Sequence, residues 1–156
     1  MARFFLFAGM SDGTFPEWGI IPGMSDFLDF RALKRPARPN NWLVAPPGFA
    51  DQAAPNAASP VFAMSETDLF DRIQQMVASR RKWKLKSVDE TARQISFIAV
   101  TPLMHFKDDV DIAVLSETGD GDYSTLAIYS RSRIGHSDLG ANAKRVNEIL
   151  AALALP

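Results

Sequence analysis

The residues best suited to chemistry lie between Tyr129 and Val146, in the stretch "YSRSRIGHSDLGANAKRV". Guanidinium groups near a helix N-terminus can bind a phosphate or a carboxylate, and a histidine beside a carboxylate can act as a general base. The side chains that could take such roles are Arg131, Arg133, His136, Ser137, Asp138, Asn142 and Arg145. The stretch therefore predicts an anion-binding turn, a catalytic turn, or a corner that these side chains brace.

A bracing role is the favoured interpretation. Arg131 and Arg133 are two residues apart at a predicted strand end, so they face the same side. Asp108 and Asp109 precede the neighbouring strand, and carboxylate–guanidinium pairs across that edge would fix the turn from sheet to helix. Small polar residues just before the helix would cap its free N–H groups. We therefore predict a structural network and keep an anion site as the alternative.

Neither a metal site nor a cofactor is predicted. His105, Asp108 and Asp109 offer nitrogen and oxygen ligands close in sequence, but their spacing matches no standard metal site. The sequence contains no Gly-x-Ser-x-Gly elbow, no phosphate loop and no His-Glu-x-x-His motif. The sequence therefore favours a protein that is not an enzyme.

Composition argues against several classes of protein. The formal net charge of -1 argues against nucleic-acid binding, which usually needs a basic balance. The chain has no cysteine, which removes disulfides, thiolate zinc sites and cysteine nucleophiles. The apolar run from Phe4 to Met10 is far shorter than the roughly 20 residues that span a bilayer. We predict no transmembrane segment, no cleaved signal peptide, and a cytoplasmic location with at most peripheral membrane contact.

Regular elements are predicted after residue 60. The string "SETD" at 65–68 is a capping-box pattern, and it starts a helix with apolar residues at helical spacing. Four segments with period-two alternation follow, and then a last helix from about Asp138. Short connections predict an antiparallel meander. The predicted fold is α+β over residues 61–156, a four-stranded antiparallel meander covered on one face by two helices as a two-layer sandwich.

Residues 1–60 are predicted to form an extended arm and linker. Eight of the ten prolines lie at or before Pro60 and interrupt any long helix. The segment is nevertheless rich in aromatic residues, unlike a disordered tail, and its last part, "ADQAAPNAASP", is typical of a linker. The apolar anchors that would bind a protein partner are Phe4, Phe5, Phe7, Phe15, Trp18, Phe27, Phe30 and Trp42.

Four basic residues of the arm stand close together in sequence, Arg31, Lys34, Arg35 and Arg38. One interpretation is a solvated helix end, because cations there interact favourably with the helix dipole. The other interpretation is a patch that binds anionic lipid or an acidic partner.

Two motifs resemble a bacterial and plastid family called domain of unknown function 1499. The ending of that family resembles Arg-Ser-x-Ser-Arg-x-Gly-x-Ser-Asp-x-Gly-x-Asn-x-x-Arg, and the corresponding residues here are Ser130, Arg131, Ser132, Arg133, Gly135, Ser137, Asp138, Gly140, Asn142 and Arg145. Its middle motif corresponds to Thr101, Phe106, Asp108, Asp109 and Val110. The resemblance covers about Ser59 to Leu153. It implies no established reaction, and Asn41 stands where family members often carry a cysteine.

The aromatic arm predicts a non-catalytic interaction protein, an accessory subunit that docks through the arm onto a larger, membrane-bound protein complex. One alternative is a domain that binds a small anionic ligand or a lipid in a cavity lined by Phe97, Ile112, Ile128 and Val146. The other alternative is an enzyme that uses the basic turn, with Arg131, Arg133, His136 and Asp138.

Overall fold

Two helices and six strands form in the part of the chain that the structure describes. The structure is a computed structural model and describes residues 27–102, 104–117 and 122–155. In chain order the elements are β1 (Asn41–Ala45), β2 (Ala57–Ala58), α1 (Glu66–Ser79), β3 (Trp83–Asp89), β4 (Gln94–Val100), β5 (Lys107–Ser116), β6 (Ser124–Ser132) and α2 (Ala141–Ala154).

One mixed sheet with strand order β2-β1-β6-β5-β4-β3 organises the molecule. The strands from β3 to β6 form the antiparallel meander that the alternation predicts, with Ile112 opposite both Ile95 and Ile128. β1 pairs antiparallel with β6, and β2 pairs parallel with β1. The α+β class with two helices is confirmed, but the prediction of four strands is wrong because β1 and β2 extend the same sheet.

The additional strands come from the proline-rich segment. β1 is the short run "NWLVA", and its flanking prolines, Pro39 and Pro46, stand outside the strand. A proline at that position removes no hydrogen bond from the ladder, so it does not prevent pairing. The predicted boundary at residue 60, between arm and domain, therefore falls after two strands of the sheet, because residues 41–45 and 57–58 belong to it.

The helices cover one face of the sheet and form the larger hydrophobic core. Ser65 caps α1 by accepting a hydrogen bond from the Asp68 backbone N–H at 3.1 Å, as the capping-box pattern predicts. The cavity residues of the ligand-binding alternative are all buried within this core cluster and pack with α1 and α2; they are Phe97, Ile112, Ile128 and Val146. Side chains therefore fill the interior at these four positions.

The second part of the predicted arm covers the opposite face of the sheet. Phe30 and Leu33 are buried there with Leu43, Ala127 and Tyr129 in a second hydrophobic cluster. Phe30, which is 3% exposed, therefore packs inside this chain and is not available to a partner. This burial corrects its assignment as a partner-binding anchor.

Two other predicted anchors also lie within the described residues. Trp42 is half-buried and packs against the larger core on the helix-covered face. Phe27 is half-buried where the described chain begins. The remaining predicted anchors, Phe4, Phe5, Phe7, Phe15 and Trp18, lie outside the described residues.

Arg35 joins the arm to the loop between β1 and β2. Its guanidinium donates to Asn41 Oδ1 at 2.8 Å, to the Ala54 carbonyl at 2.6 Å and to Asn56 Oδ1 at 2.6 Å. Burial lowers the pKa of this guanidinium, which the nearby Tyr129 partly offsets. The four basic residues predicted as a cluster are therefore not one solvated patch, because Arg35 is engaged in these contacts.

Truncation should separate the two parts of the arm. Removing residues 1–26 leaves β1 and the second cluster, so the chain should fold with a cooperative urea transition. Removing residues 1–48 deletes β1 and the buried side chains of Phe30 and Leu33, and the loss of several large buried side chains should cost more than about 5 kcal/mol. A cooperative transition of equal midpoint in both truncated proteins would contradict this assignment.

Candidate functional site

A buried ion pair lies beneath the corner between β6 and α2. Arg145 Nη2 contacts Asp108 Oδ2 at 2.6 Å, and the two side chains are 9% and 1% exposed. Arg145 Nη1 also donates to Ser130 Oγ and to Asn142 Oδ1, each at 2.8 Å. These hydrogen bonds offset the desolvation of a charge that would otherwise be costly to bury.

Asn142 connects the ion pair to three chain segments. Its Oδ1 accepts from Ser130 Oγ at 2.6 Å, while its amide nitrogen lies 3.0 Å from the Asn40 carbonyl and 3.0 Å from Ser132 Oγ. Asn40 in turn donates to the Gly135 carbonyl at 2.9 Å. The segment before β1, the end of β6 and the first turn of α2 are therefore joined by one amide side chain.

The corner itself needs left-handed backbone. Leu139 and Gly140 have φ values of 53° and 81°, so the helix begins at Ala141, not at Asp138 as predicted. Asp138 Oδ2 accepts from the Asn142 N–H in the first turn of α2 at 2.7 Å, and Asp138 Oδ1 accepts from the Gly140 N–H just before the helix at 3.1 Å. An acidic cap also interacts favourably with the helix dipole.

A second ion pair lies on the opposite face of the sheet. Arg133 contacts Asp109 with two hydrogen bonds of 3.0 and 2.7 Å, and Arg131 approaches Asp109 at 4.0 Å. Burial alone would raise the pKa of Asp109, but the hydrogen bond and charge of Arg133, helped by Arg131, hold it below its usual value. Asp109 thus accepts hydrogen bonds from Arg133 and makes a longer ion pair with Arg131.

Asp111 lies on the same face as Asp109 in a different environment. It is 6% exposed and stands across from Ser96 on β4 and Tyr129 on β6. Burial raises the pKa of Asp111, and the hydrogen bond from Ser96 and the more distant charge of Arg131 offset only part of that effect. Two carboxylates on one strand are therefore shifted in opposite directions.

The arginines of the predicted anion site do not converge. Arg131 and Arg133 meet Asp109 on one face of the sheet, whereas Arg145 meets Asp108 on the helix-covered side. His136 is exposed, and its ring makes no hydrogen bond to any residue that the structure describes. An anion site built from these arginines and His136 is therefore not formed, and no carboxylate of the described residues orients His136 as a base.

A small pocket opens at the same corner, and we call it the corner pocket. Its volume is about 130 Å³, and its lining is formed by Thr101, Phe106, Asp108, Ser132, Ile134, Gly135, Ser137, Asp138 and Ala141. Asp108 Oδ1 is buried without a hydrogen-bond partner among the described residues. Thr101 and Phe106 belong to the middle motif of the resemblance, but only tertiary structure brings them beside the turn between β6 and α2.

Large exposed apolar side chains lie on the two loops that line this pocket, and we call them the apolar rim. Phe106 and Ile134 line the pocket and are 42% and 61% exposed. The other two members of the rim, Met104 and Leu139, are close to them in sequence and are also exposed. Sequence reasoning missed this rim because single apolar residues in loops carry no periodic signal.

A larger cleft of about 480 Å³ lies between the end of α1, the start of β3 and the start of α2. Four exposed basic residues line it, Arg80, Arg81, Lys82 and Lys144. Among the described residues of its lining, Glu148 is the one acidic residue. Arg80 also stacks over the Trp83 ring at 5.0 Å. We call this feature the cationic cleft; the sequence indicates it only as three consecutive bases after a helix.

Comparison with protein families decides the relationship of the chain. The model of the family described as "Protein of unknown function (DUF1499)" matches residues 35–153. The chain belongs to this family. The match starts well before residue 60, in agreement with the position of β1 in the sheet.

Other comparisons add little about this member of the DUF1499 family. No curated protein matches the chain. A solved structure of a protein from Nitrosospira multiformis is 14% identical and has a TM-score of 0.45, with 62% of this chain and 90% of that chain covered.

Within the described residues, neither helix has the length and apolar character needed to cross a bilayer. In the same residues, no three His, Cys, Asp or Glu side chains come together as metal ligands would.

The two ion pairs should differ in their contribution to stability. Arg145→Ala leaves Asp108 buried and unpaired, so the free energy of unfolding should fall by about 3–5 kcal/mol. The matched variant Arg133→Ala affects an exposed pair and leaves Arg131 near Asp109, so it should cost about 0–1 kcal/mol. Urea denaturation measures both, and equal losses would show that burial does not separate the two pairs.

The two shifted carboxylates should respond oppositely to pH. Because the pKa of Asp109 is lower in the folded than in the unfolded state, its ionised carboxylate stabilises the fold at pH values above the unfolded pKa. This stabilisation is lost as the pH falls through the folded pKa. Ionised Asp111 opposes folding, so its stability contribution declines as pH rises from the unfolded pKa through the raised folded pKa. At neutral pH, Asp109→Asn should be less stable and Asp111→Asn more stable than the parent.

Both differences should shrink as the pH approaches about 3, where ordinary carboxyl groups are protonated. Urea midpoints at neutral and acid pH measure the effect. Changes of the same sign in the two variants at neutral pH would contradict the opposite pKa shifts.

Proposed function

We propose that this chain is a non-catalytic interaction protein, an accessory subunit that docks onto a larger protein assembly. The apolar rim carries the proposal. Monomeric proteins expose single apolar residues freely, but clusters of them usually mark a contact surface. Met104, Phe106, Ile134 and Leu139 are exposed on the two loops that line the corner pocket, and an ion pair buried at the same corner makes it rigid. A rigid surface with large apolar side chains is suited to binding, since few side chains must be ordered on docking.

The polar groups of the corner support binding over catalysis. Asp108 and Asp109 are paired with arginines, and both oxygens of Asp138 accept N–H hydrogen bonds. His136 is exposed and has no carboxylate to orient it in the described part of the chain. A general base needs a fixed position within hydrogen-bond reach of its substrate, and these contacts favour a structural role.

The N-terminal arm is proposed as a second docking element. Its aromatic anchors from Phe4 to Trp18 lie outside the described residues, so the docking role is proposed for residues 1–26 in place of the whole arm. Arg31, Lys34 and Arg38 are exposed where the described chain begins. Bases near anionic headgroups each contribute about 1 kcal/mol, which supports a partner at a membrane surface and peripheral contact by this chain.

Binding of a small anionic ligand is a second candidate function, because the cationic cleft offers a specific location for it. Arg80, Arg81, Lys82 and Lys144 line one concave surface beside Trp83. The first turn of α2 also lines it, and a helix N-terminus favours an anion. This location differs from the turn at Arg131 and Arg133, where the guanidinium groups are already paired.

Substitution of the rim tests the docking proposal. Native mass spectrometry and cross-linking of the protein from its source should identify one partner chain. Its cross-links should reach the β4–β5 loop and the turn between β6 and α2. Phe106→Ser combined with Ile134→Ser should weaken binding of that purified partner at least about tenfold, because central apolar contacts dominate interface energy.

The matched control is Val61→Ser combined with Leu155→Ser, two apolar residues that are 53% and 66% exposed and lie outside the rim. The control should bind the partner with unchanged affinity. Equal losses in both double variants, or loss only when residues 1–26 are deleted, would remove the rim as the docking surface.

A further inference from the structure

We propose that the corner pocket binds one alkylammonium group, with Asp108 Oδ1 as its principal acceptor. The inference depends on the pocket alone and does not require the docking proposal to hold. It assigns a ligand class to a cavity of about 130 Å³ beneath the apolar rim.

The buried carboxylate oxygen is the first observation. Asp108 is 1% exposed, and Arg145 occupies only its Oδ2. Its Oδ1 has no hydrogen-bond partner among the described residues, although Asp108 lines the pocket. A buried charged acceptor without a donor is costly, so the fold is stabilised by any donor that enters the pocket.

The sign of the lining decides between a cation and an anion. Two carboxylates, Asp108 and Asp138, line the pocket, and the described residues of its lining include no lysine, arginine or histidine. Asp138 supplies negative charge, and each of its oxygens already accepts at least one N–H group. The pocket therefore favours a cation. The preference is modest because the positive charge of Arg145, which is paired with Asp108, offsets part of the negative charge.

Hydroxyl groups in the pocket lining can accept the N–H bonds of an ammonium that Asp108 does not accept. Thr101 Oγ1 accepts from the Phe106 N–H at 2.9 Å, and Ser137 Oγ accepts from the Leu139 N–H at 3.2 Å. Each hydroxyl oxygen has a second lone pair for a ligand N–H. Ser132 contributes a third hydroxyl to the lining.

Shape favours an ammonium over a guanidinium. The planar fork of a guanidinium matches both oxygens of one carboxylate, but Arg145 already holds one oxygen of Asp108. An ammonium needs only one acceptor at a time and fits a small cavity. Phe106 and Ile134 at the mouth would contact the methylene groups behind the charge, and an aromatic face also attracts a cation.

Titration of the full chain with n-butylammonium chloride tests the inference by NMR. The amide resonances of Thr101, Ser137 and Ala141 should shift in a saturable way. N-butylguanidinium and tetramethylammonium at equal ionic strength should bind at least about tenfold more weakly. The pocket offers no free pair of carboxylate oxygens to the guanidinium, and tetramethylammonium has no N–H donors. Equal saturable shifts with tetramethylammonium, or none with n-butylammonium, would overturn the proposal and leave the pocket to water.

A pocket-filling variant gives a second readout. Ala141→Leu places a larger side chain at the pocket wall and should weaken n-butylammonium binding at least about tenfold. Ala151→Leu, an exposed position on the same helix, should leave binding unchanged. Unchanged binding in Ala141→Leu, with the fold preserved by the amide spectrum, would contradict the location.

The source of the amine is resolved by a second titration. A capped Gly-Lys-Gly peptide presents the same alkylammonium group on a polypeptide, where a docking partner would carry it. Tighter binding of the peptide than of n-butylammonium supports a lysine side chain as the ligand. Binding of the free amine with exclusion of the peptide supports a small amine, and failure of both to bind overturns the inference.

Discussion

Burial of the Asp108–Arg145 pair is the constraint on which the corner of this fold depends. A charge can be buried only with a partner and with hydrogen bonds to its remaining groups. Those requirements draw in Ser130 from β6 and Asn142 from α2, and Asn142 then holds the carbonyl of Asn40 before β1. Sheet, helix and arm are thereby joined in one hydrogen-bonded unit, and the position of the corner pocket follows from it.

The adjacent aspartates show how strand geometry divides two apparently equal residues. Neighbouring side chains on a strand point to opposite faces, so Asp108 enters the helix-covered core while Asp109 meets Arg133 and Arg131 on the other side. Alternation makes this division predictable. The partner of Asp108 was not predicted, because Arg145 lies on a helix whose rotation about its axis depends on packing.

The meander and both helices could be predicted because their apolar residues recur at the right period over many residues. β1 and β2 could not, since a run of five residues between prolines and a pair of alanines carry too little periodic signal. The basic turn was recognised as a network from its residue types. The corner pocket was not, because Thr101, Phe106 and Ile134 come together only when the β4–β5 loop and the turn after β6 are both in place.

The pairing of β1 with β6 has a consequence for how the chain acquires its structure. Val44 lies opposite Ile128, 84 residues later in the sequence, so β1 completes its ladder only after β6 exists. Contacts this distant close a long loop and are slow to form. On the ribosome, β1 can pair with β2 but must remain without its β6 partner until most of the described chain is synthesised. During that interval β1 is accessible to chaperones.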